Sequence, residues 1–150
     1  MAFELTLRRA TVADVALLAP LFDQYRQFYE QAPDVERATQ FVAQRLQNGE
    51  SVVLLAFSGA TLVGFCQLYP TFCSVEAAAI FVLYDLFVVP AVRQTGAGRA
   101  LLRCAQETAR AAGAVRLDLS TAKTNLKAQA LYESEAWQRD NVFFTYSRSL

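Results

Sequence analysis

Phe3, Leu5 and Leu7 alternate with Glu4, Thr6 and Arg8, and this period of two predicts a half-buried strand over Phe3 to Arg9. The period then changes. Thr11-Val12-Ala13-Asp14 has the form of a capping box, and Val15, Leu18, Phe22, Tyr25 and Tyr29 recur at spacings of three and four. They form the apolar stripe of a helix, with Pro20 inside it as an expected bend. Pro33 and Asp34 reopen a helix whose face is Ala38, Phe41, Val42, Arg45 and Leu46, and Gly49 stops it. Strands are expected over Ser51 to Phe57 and Thr61 to Tyr69, joined by the turn Ser58-Gly59-Ala60, with a loop from Pro70 to Glu76. A long apolar strand follows. Its last part, Leu83 to Val89, is broken only by Asp85 and closed by Pro90. Short connections make these three strands an antiparallel meander.

Leu101, Leu102, Ala105, Thr108, Ala109 and Ala112 line the next helix, which Gly113 ends, and Val115 to Thr121 is the next strand. Strand, helix, strand over this length is a βαβ unit, so the two strands should run parallel. A further helix spans Asn125 to Glu135. Closing strands are expected at Trp137 to Arg139 and Val142 to Arg148, around Asp140-Asn141. The pattern is that of an α/β (α+β) fold with a mixed central sheet of about seven strands and about four helices. No repeat or linker interrupts it, and 150 residues form one domain, 1–150.

Composition changes this picture in a few places. The chain is 54% hydrophobic with zero formal net charge, which argues for an ordered domain and against a nucleic-acid surface or a polybasic membrane anchor. The N-terminus lacks a charged head with a long apolar stretch, and no apolar run reaches membrane-spanning length. Cys66, Cys73 and Cys104 are odd in number and have neither metal nor redox spacing, so reduced thiols in a cytoplasmic protein are expected. There is no histidine. Ser-His-Asp and Cys-His chemistry and most zinc sites are therefore excluded, and no metal is expected. Acids and bases must be Asp, Glu, Tyr, Lys, Cys, a chain terminus or water.

The most informative stretch is Arg93-Gln94-Thr95-Gly96-Ala97-Gly98, between the long strand and the helix beginning at Arg99. A glycine turn at a helix N-terminus exposes backbone N–H groups and the positive end of the helix dipole, a natural seat for a phosphate or pyrophosphate. It lacks the Gly-Lys-Ser/Thr ending of a P-loop and the three-glycine spacing of a dinucleotide turn. Arg93-x-x-Gly96-x-Gly98 resembles the acyl-CoA loop of the GNAT-type N-acetyltransferase family. Asn125, Ala128 and Tyr132, followed by Ala136-Trp137, are similar to a second hallmark of that family, Asn-x-x-Ala-x-x-x-Tyr-x-x-x-Gly-Phe. Ala136 stands where the family pattern has glycine, so the backbone there is expected to differ. Gln94 stands where glycine is commoner and retains the N–H. The element order matches over essentially the whole chain.

The resemblance implies acetyl-CoA as the acyl donor and a primary amine as the acceptor. It assigns the pyrophosphate to the backbone of Gln94, Thr95, Gly96, Ala97, Gly98, Arg99 and Ala100. The Arg93 side chain either adds charge there or pairs with a surface carboxylate. The pantetheine arm would run along the main chain of Phe87, Val88 and Val89, with an N–H near Val88 polarising the thioester carbonyl. Tyr132 carries the general-acid role in the family, since a phenol stays protonated at neutral pH and can hand a proton to a thiolate; otherwise it is a packing aromatic. Asn125 caps its helix or bonds the cofactor arm, with Ala128 beside it. Asp85 is the strongest candidate to take the ammonium proton, because a carboxylate inside an apolar strand is costly unless paired. It could equally be a structural partner. Glu30, Asp34 and Glu76 are weaker candidates. Tyr84 points to the opposite face from Asp85 unless a bulge intervenes.

Tyr25, Phe28, Tyr29, Tyr69 and Tyr84 are either core packing or an aromatic wall for a cationic amine. Three stretches, 25–30, 64–70 and 83–88, are similar to the branch that acetylates polyamines, diamines and basic protein tails. A small amino-acid or aminoglycoside-like amine, or a non-catalytic acyl-CoA sensor, stays open beside that reading. Phe143, Phe144 and Tyr146 are core or a dimer seam, and a homodimer is expected.

Overall fold

The structure, a computed structural model, describes residues 4–150. Phe3, the expected first residue of the opening strand, lies outside them. Backbone contacts divide the chain into two units, Met1–Leu119 and Ser120–Leu150.

The first unit holds a five-stranded sheet in the order β1-β2-β3-β4-β5. Strand β1 is Leu5–Arg9, β2 Val52–Ser58, β3 Thr61–Cys73, β4 Ala78–Val88 and β5 Leu117–Leu119. The first four pair antiparallel in sequence order, the expected meander, and β5 joins β4 in parallel. Strand β3 runs through the predicted loop as far as Cys73, which pairs with Ala78. Pro70 is tolerated because it and its neighbours are near the exposed end of the hairpin.

Two helices cover one face. Helix α1 is Val15–Phe28 and α2 is Val35–Gln47. The predicted capping box precedes α1: Thr11 N–H donates to Asp14 Oδ2 at 2.8 Å, and the Arg8 guanidinium grips both oxygens of Asp14 at 2.7 and 2.8 Å. Asp34 caps α2 by accepting from Arg37 N–H at 3.0 Å. Leu18, Phe22, Ala38 and Val42 from these helices pack on Val53, Leu55, Phe65 and Phe87 of the sheet. Helix α3, Ala97–Ala111, lies on the other face against β2, β3 and β4 through Leu101, Leu102, Ala105 and Ala109. It approaches β3 at Gly64. A Cβ there would stand 2.9 Å from the Phe87 carbonyl oxygen and 3.2 Å from Leu101 Cδ1, so only glycine fits.

The second unit contains helix α4, Leu126–Ser134. The expected strands at 137–139 and 142–148 do not form, which leaves five strands among the described residues where about seven were expected. The alternation at 142–148 is real, but a strand needs a neighbour for its N–H and C=O groups, and the unit offers none. The Val142 and Phe143 N–H groups instead donate to Asp140 Oδ1 at 2.8 and 3.2 Å. Among the described residues no helix is long and apolar enough to cross a membrane.

Candidate functional site

The β3–β4 register slips by one residue at the middle of the sheet. Gln67 pairs with Asp85, yet the next pair is Leu68 with Leu83, so Tyr84 is an extra residue in β4. A bulge of this kind turns two consecutive side chains of one strand towards the same face. The Tyr84 ring meets Tyr69 at 5.5 Å between centroids, and Tyr69 shares the Gln67 face of β3. The bulge thus supplies the exception noted in the sequence, and both Tyr84 and Asp85 serve one face.

Asp85 is 5% exposed and Gln67 1%. Gln67 Nε2 donates to Asp85 Oδ2 at 2.7 Å, while Gln67 Oε1 is buried with no partner among the described residues. Burial pushes the Asp85 carboxyl above its ordinary range, and hydrogen bonds from Gln67 and Tyr25 bring it part of the way back. The Tyr25 hydroxyl, delivered by α1, lies 3.5 Å from the Tyr84 carbonyl oxygen. Burial and the nearby Asp85 charge both raise the Tyr25 and Tyr69 phenols, so each holds its proton. Tyr25, Tyr69 and Tyr84 therefore gather around one buried carboxylate. Phe28 and Tyr29, at the exposed end of α1, stand apart from it; Tyr29 stacks edge-on against Tyr25 and Phe28. Gln67 was not among the predicted site residues. A glutamine inside an apolar strand, in register with the only carboxylate of the next strand, is the signal that marks it.

Strand β4 continues five residues beyond its pairing with β5, which covers only Phe81–Leu83. On that side Tyr84 to Val88 pair with no strand among the described residues. Val89 N–H donates to the Val63 carbonyl at 2.9 Å, so by alternation Phe87 also faces β3, while Leu86 and Val88 turn their N–H groups outwards. Of the three residues assigned to the pantetheine arm, only Val88 offers its N–H to that open side. Leu86 is the other donor.

The loop after β4 begins with Arg93, whose Nε donates to the Val88 carbonyl at 2.8 Å and whose guanidinium lies over the rings of Phe28 and Phe87 at 5.7 and 5.4 Å. Arg93 thus fastens the loop to β4 and α1; among the described residues it pairs with no carboxylate. Gln94 adopts φ +66° and Gly96 φ +93°. Gln94, Thr95 and Gly96 are exposed, and Thr95 Oγ1 pins the loop by donating to the Val92 carbonyl at 2.6 Å. As the N-cap of α3, Gly96 has no side chain to satisfy the first turn. Helix geometry leaves Ala97 and Gly98 N–H without an intrahelical acceptor. Ala100 N–H is taken by the Gly96 carbonyl at 2.9 Å, and Arg99 is in the same first turn. An uncapped glycine-bounded N-terminus of this kind fits a pyrophosphate by chemistry and by space.

Within the second unit, Asn125 Oδ1 caps α4 by accepting Ala128 N–H at 3.2 Å. Tyr132 is half-buried one turn further on and its ring lies 6.1 Å from that of Trp137. Ala136 adopts φ +64°, the left-handed conformation the family pattern provides with glycine. Ala136 N–H bonds the Glu133 carbonyl at 3.1 Å and Trp137 N–H the Tyr132 carbonyl at 3.0 Å, a complete Schellman motif. The expectation that alanine would alter the backbone is therefore corrected: the fold keeps the turn and carries the strain.

The chain as a whole is similar to known proteins. A model of the "Acetyltransferase (GNAT) family" matches residues 18–136. An uncharacterised N-acetyltransferase of Bacillus subtilis (strain 168), YhfO, is 46% identical over 142 residues, covering 95% of each chain. A probable acetyltransferase of Haemophilus influenzae is 32% identical over 102 residues, covering 67% of this chain and 70% of that one. The crystal structure of a probable acetyltransferase superposes with a TM-score of 0.90 at 37% identity, covering 97% of both chains.

Proposed function

Because the chain belongs to the GNAT family of acetyltransferases, we propose that it transfers the acetyl group of acetyl-CoA to a cationic primary amine, a polyamine, a diamine or a lysine side chain. The observation that carries the acceptor class is the buried Asp85 carboxylate ringed by Tyr25, Tyr69 and Tyr84. A carboxylate among aromatic faces is a setting that favours an ammonium group over a neutral or anionic one.

The Ala97 and Gly98 N–H groups, with the exposed backbone of Gln94 to Gly96, would hold the pyrophosphate, and the outward N–H groups of Leu86 and Val88 would bond the pantetheine arm. Bound acetyl-CoA supplies an activated thioester. Asp85, poised by burial to accept a proton, takes one from the ammonium, directly or through water, and leaves the nitrogen lone pair free to attack. Val88 N–H steadies negative charge on the carbonyl oxygen as the C–N bond forms. Tyr132 would donate its phenol proton to the departing sulfur, and the second proton lost from the attacking nitrogen would restore the phenol. The net change is one amide made, one thioester broken and one proton released.

Thiol release from acetyl-CoA, followed with a thiol reagent across spermidine, spermine, short diamines, lysine, a basic peptide, an aminoglycoside and neutral amino acids, tests this reading. The expected result is turnover concentrated in the polyamine, diamine and lysine group. Turnover confined to neutral amino acids or to the aminoglycoside would overturn the acceptor class. CoA binding without any turnover would replace catalysis with a sensor role.

A further inference from the structure

Among the described residues four buried side-chain atoms have no hydrogen-bond partner: Arg26 Nη1, Arg45 Nε, Ser51 Oγ and Gln67 Oε1. A buried polar atom without a partner is costly, so each calls for an explanation. Arg26 Nη1 has one, since the buried Asp23 carboxylate lies 3.6 Å away. The other three belong to one region. Val53, Phe65 and Phe87 face α1 and α2, so by strand alternation Ser51, Gln67, Tyr69 and Asp85 face them too. The Val52–Leu68 pair sets Ser51 level with Tyr69, diagonally across from Gln67. Arg45 reaches the same region from α2. Its guanidinium lies 4.7 Å over the Phe41 ring, which stacks on Phe22 at 5.5 Å, and its Nε is 3.5 Å from Glu50, the residue before Ser51.

These atoms are sorted by kind. At the Asp85 end the unmatched atom is an acceptor, Gln67 Oε1. At the Arg45 end the unmatched groups are donors, the guanidinium Nε–H and the Ser51 hydroxyl. The half-buried Tyr69 stands between the ends and its phenol answers to both: burial and the Asp85 charge raise it, and the Arg45 charge lowers it. The two ends are roughly 7–12 Å apart, from about 3.4 Å per residue along a strand and about 4.8 Å between strands. Arg45 is held more loosely than Arg26. Its carboxylate partner Glu50 is 46% exposed and already accepts from Asn48 Nδ2 at 2.8 Å, and an ion pair so exposed contributes little. The Arg45 side chain is itself 19% exposed, so an anionic group from solvent can reach it.

We infer that Arg45 and Ser51 hold the carboxylate of an acceptor whose amine rests on Asp85 and Gln67, so that the preferred substrate carries an amine and a carboxylate at opposite ends of a short aliphatic chain. This rests on the acetyl-transfer reading and narrows its acceptor class. The ammonium donates to Asp85 and to Gln67 Oε1, and the carboxylate accepts from Arg45 Nε and Ser51 Oγ, so one ligand satisfies all three unmatched atoms. A diamine supplies only the donor end and leaves Arg45 and Ser51 as they are. A simple α-amino acid has its two charged groups on one carbon and cannot span the ends. L-Lysine has the required form, with its terminal amine on a four-carbon stem.

The test compares kcat/KM for L-lysine and 1,5-diaminopentane, which differ only by the carboxylate. The wild-type protein should prefer lysine about tenfold or more, with the acetyl group on the terminal nitrogen. In Arg45→Met the lysine-to-diaminopentane ratio should fall about tenfold, through the KM for lysine. A ratio between two substrates does not depend on how much of a variant is folded. If Arg45→Met does not fold at all, Ser51→Ala decides, with an expected fall of roughly threefold in the same ratio. No preference in the wild type overturns the inference, and so does acetylation of the α-nitrogen or a ratio that the deciding variant leaves unmoved. If neither amine is turned over, the acetyl-transfer reading fails separately, and calorimetric binding of the two amines with CoA present settles this one. Tighter binding of lysine that Arg45→Met removes supports it; equal affinities overturn it.

Discussion

Gln67 Nε2 donates to Asp85 Oδ2 at 2.7 Å across the β3–β4 pair, where both side chains are buried and the register slips by one residue. The bond stabilises the charged carboxylate against the desolvation that opposes it. Gln67→Met removes the donor and keeps the bulk. A hydrogen bond to a charged group contributes about 1.5–3 kcal/mol, so the acid limb of kcat/KM should move up by roughly one pH unit or more. The pH profile of acetyl transfer to the preferred amine reads this directly. An unmoved limb would mean that Asp85 is not the group it reports.

Asp85→Asn separates the chemical cost of this carboxylate from its folding cost. Acetyl transfer should fall about a hundredfold, the usual range for losing a general base, while acetyl-CoA still binds. Stability should change the other way. The folded-state pKa of Asp85 lies above its ordinary value of 3.8, so its ionisation opposes folding increasingly as pH rises from about 4 through that raised value. The variant escapes this. Its melting temperature relative to wild type should therefore rise over that interval and level off above it. Thermal melts of both proteins between pH 4 and 8 check the sign.

Tyr132→Phe removes one hydroxyl from a half-buried ring in the first half-turn before the α4 stop. The loss of a general acid should lower kcat at least tenfold and leave the affinity for CoA within about twofold. Calorimetric titration with CoA beside the thiol-release rate distinguishes this from a packing role. A packing residue would show itself as a lower melting temperature with kcat intact.

Much of this architecture is written in residue spacing. The α1 stripe, the Thr11 to Asp14 capping box, the Asp34 cap and the βαβ unit were all legible because local patterns of period two, three and four determine them. The loop and the Asn125 cap were legible because their chemistry is local too. The bulge at Tyr84 was not. It depends on which residue of β3 faces which residue of β4, a long-range register that no single strand encodes. The Gln67 role was hidden for the same reason. Arg93 bonds the strand just before it, where a ligand or a surface carboxylate was anticipated, because the Val88 carbonyl at the open side of β4 has no strand to accept from. The C-terminal strands were anticipated from alternation alone, and alternation cannot supply the neighbour a strand requires.

Gly96→Ala tests the phosphate loop. Space is open around Gly96, so the penalty comes from φ +93°, which a side chain tolerates poorly. The strain costs about 1–2 kcal/mol, a fall of roughly 2–8 °C in melting temperature for a chain of this size. A strained N-cap also shifts the backbone that presents the Ala97 and Gly98 N–H groups, so the Kd for CoA should rise about tenfold. Gln94→Gly relieves φ +66° and keeps every backbone donor, so binding should hold. Equal CoA affinity in the Gly96→Ala variant would move the pyrophosphate off this loop.

Ala136 sits at φ +64° in the turn that ends α4, and the turn is fully formed around it. Alanine there bears the left-handed penalty of about 1–2 kcal/mol, offset by the smaller backbone entropy it loses on folding, about 0.4–1 kcal/mol relative to glycine. Ala136→Gly should therefore stabilise by about 0.5–1 kcal/mol, or roughly 1–4 °C. Ala136→Val reverses the sign, because a β-branched side chain is still less compatible with positive φ. Neither substitution touches the Asn125 cap, so kcat and KM of the glycine variant should match wild type. A melting temperature that falls with glycine would show that the Ala136 methyl group is held by packing worth more than the strain it carries.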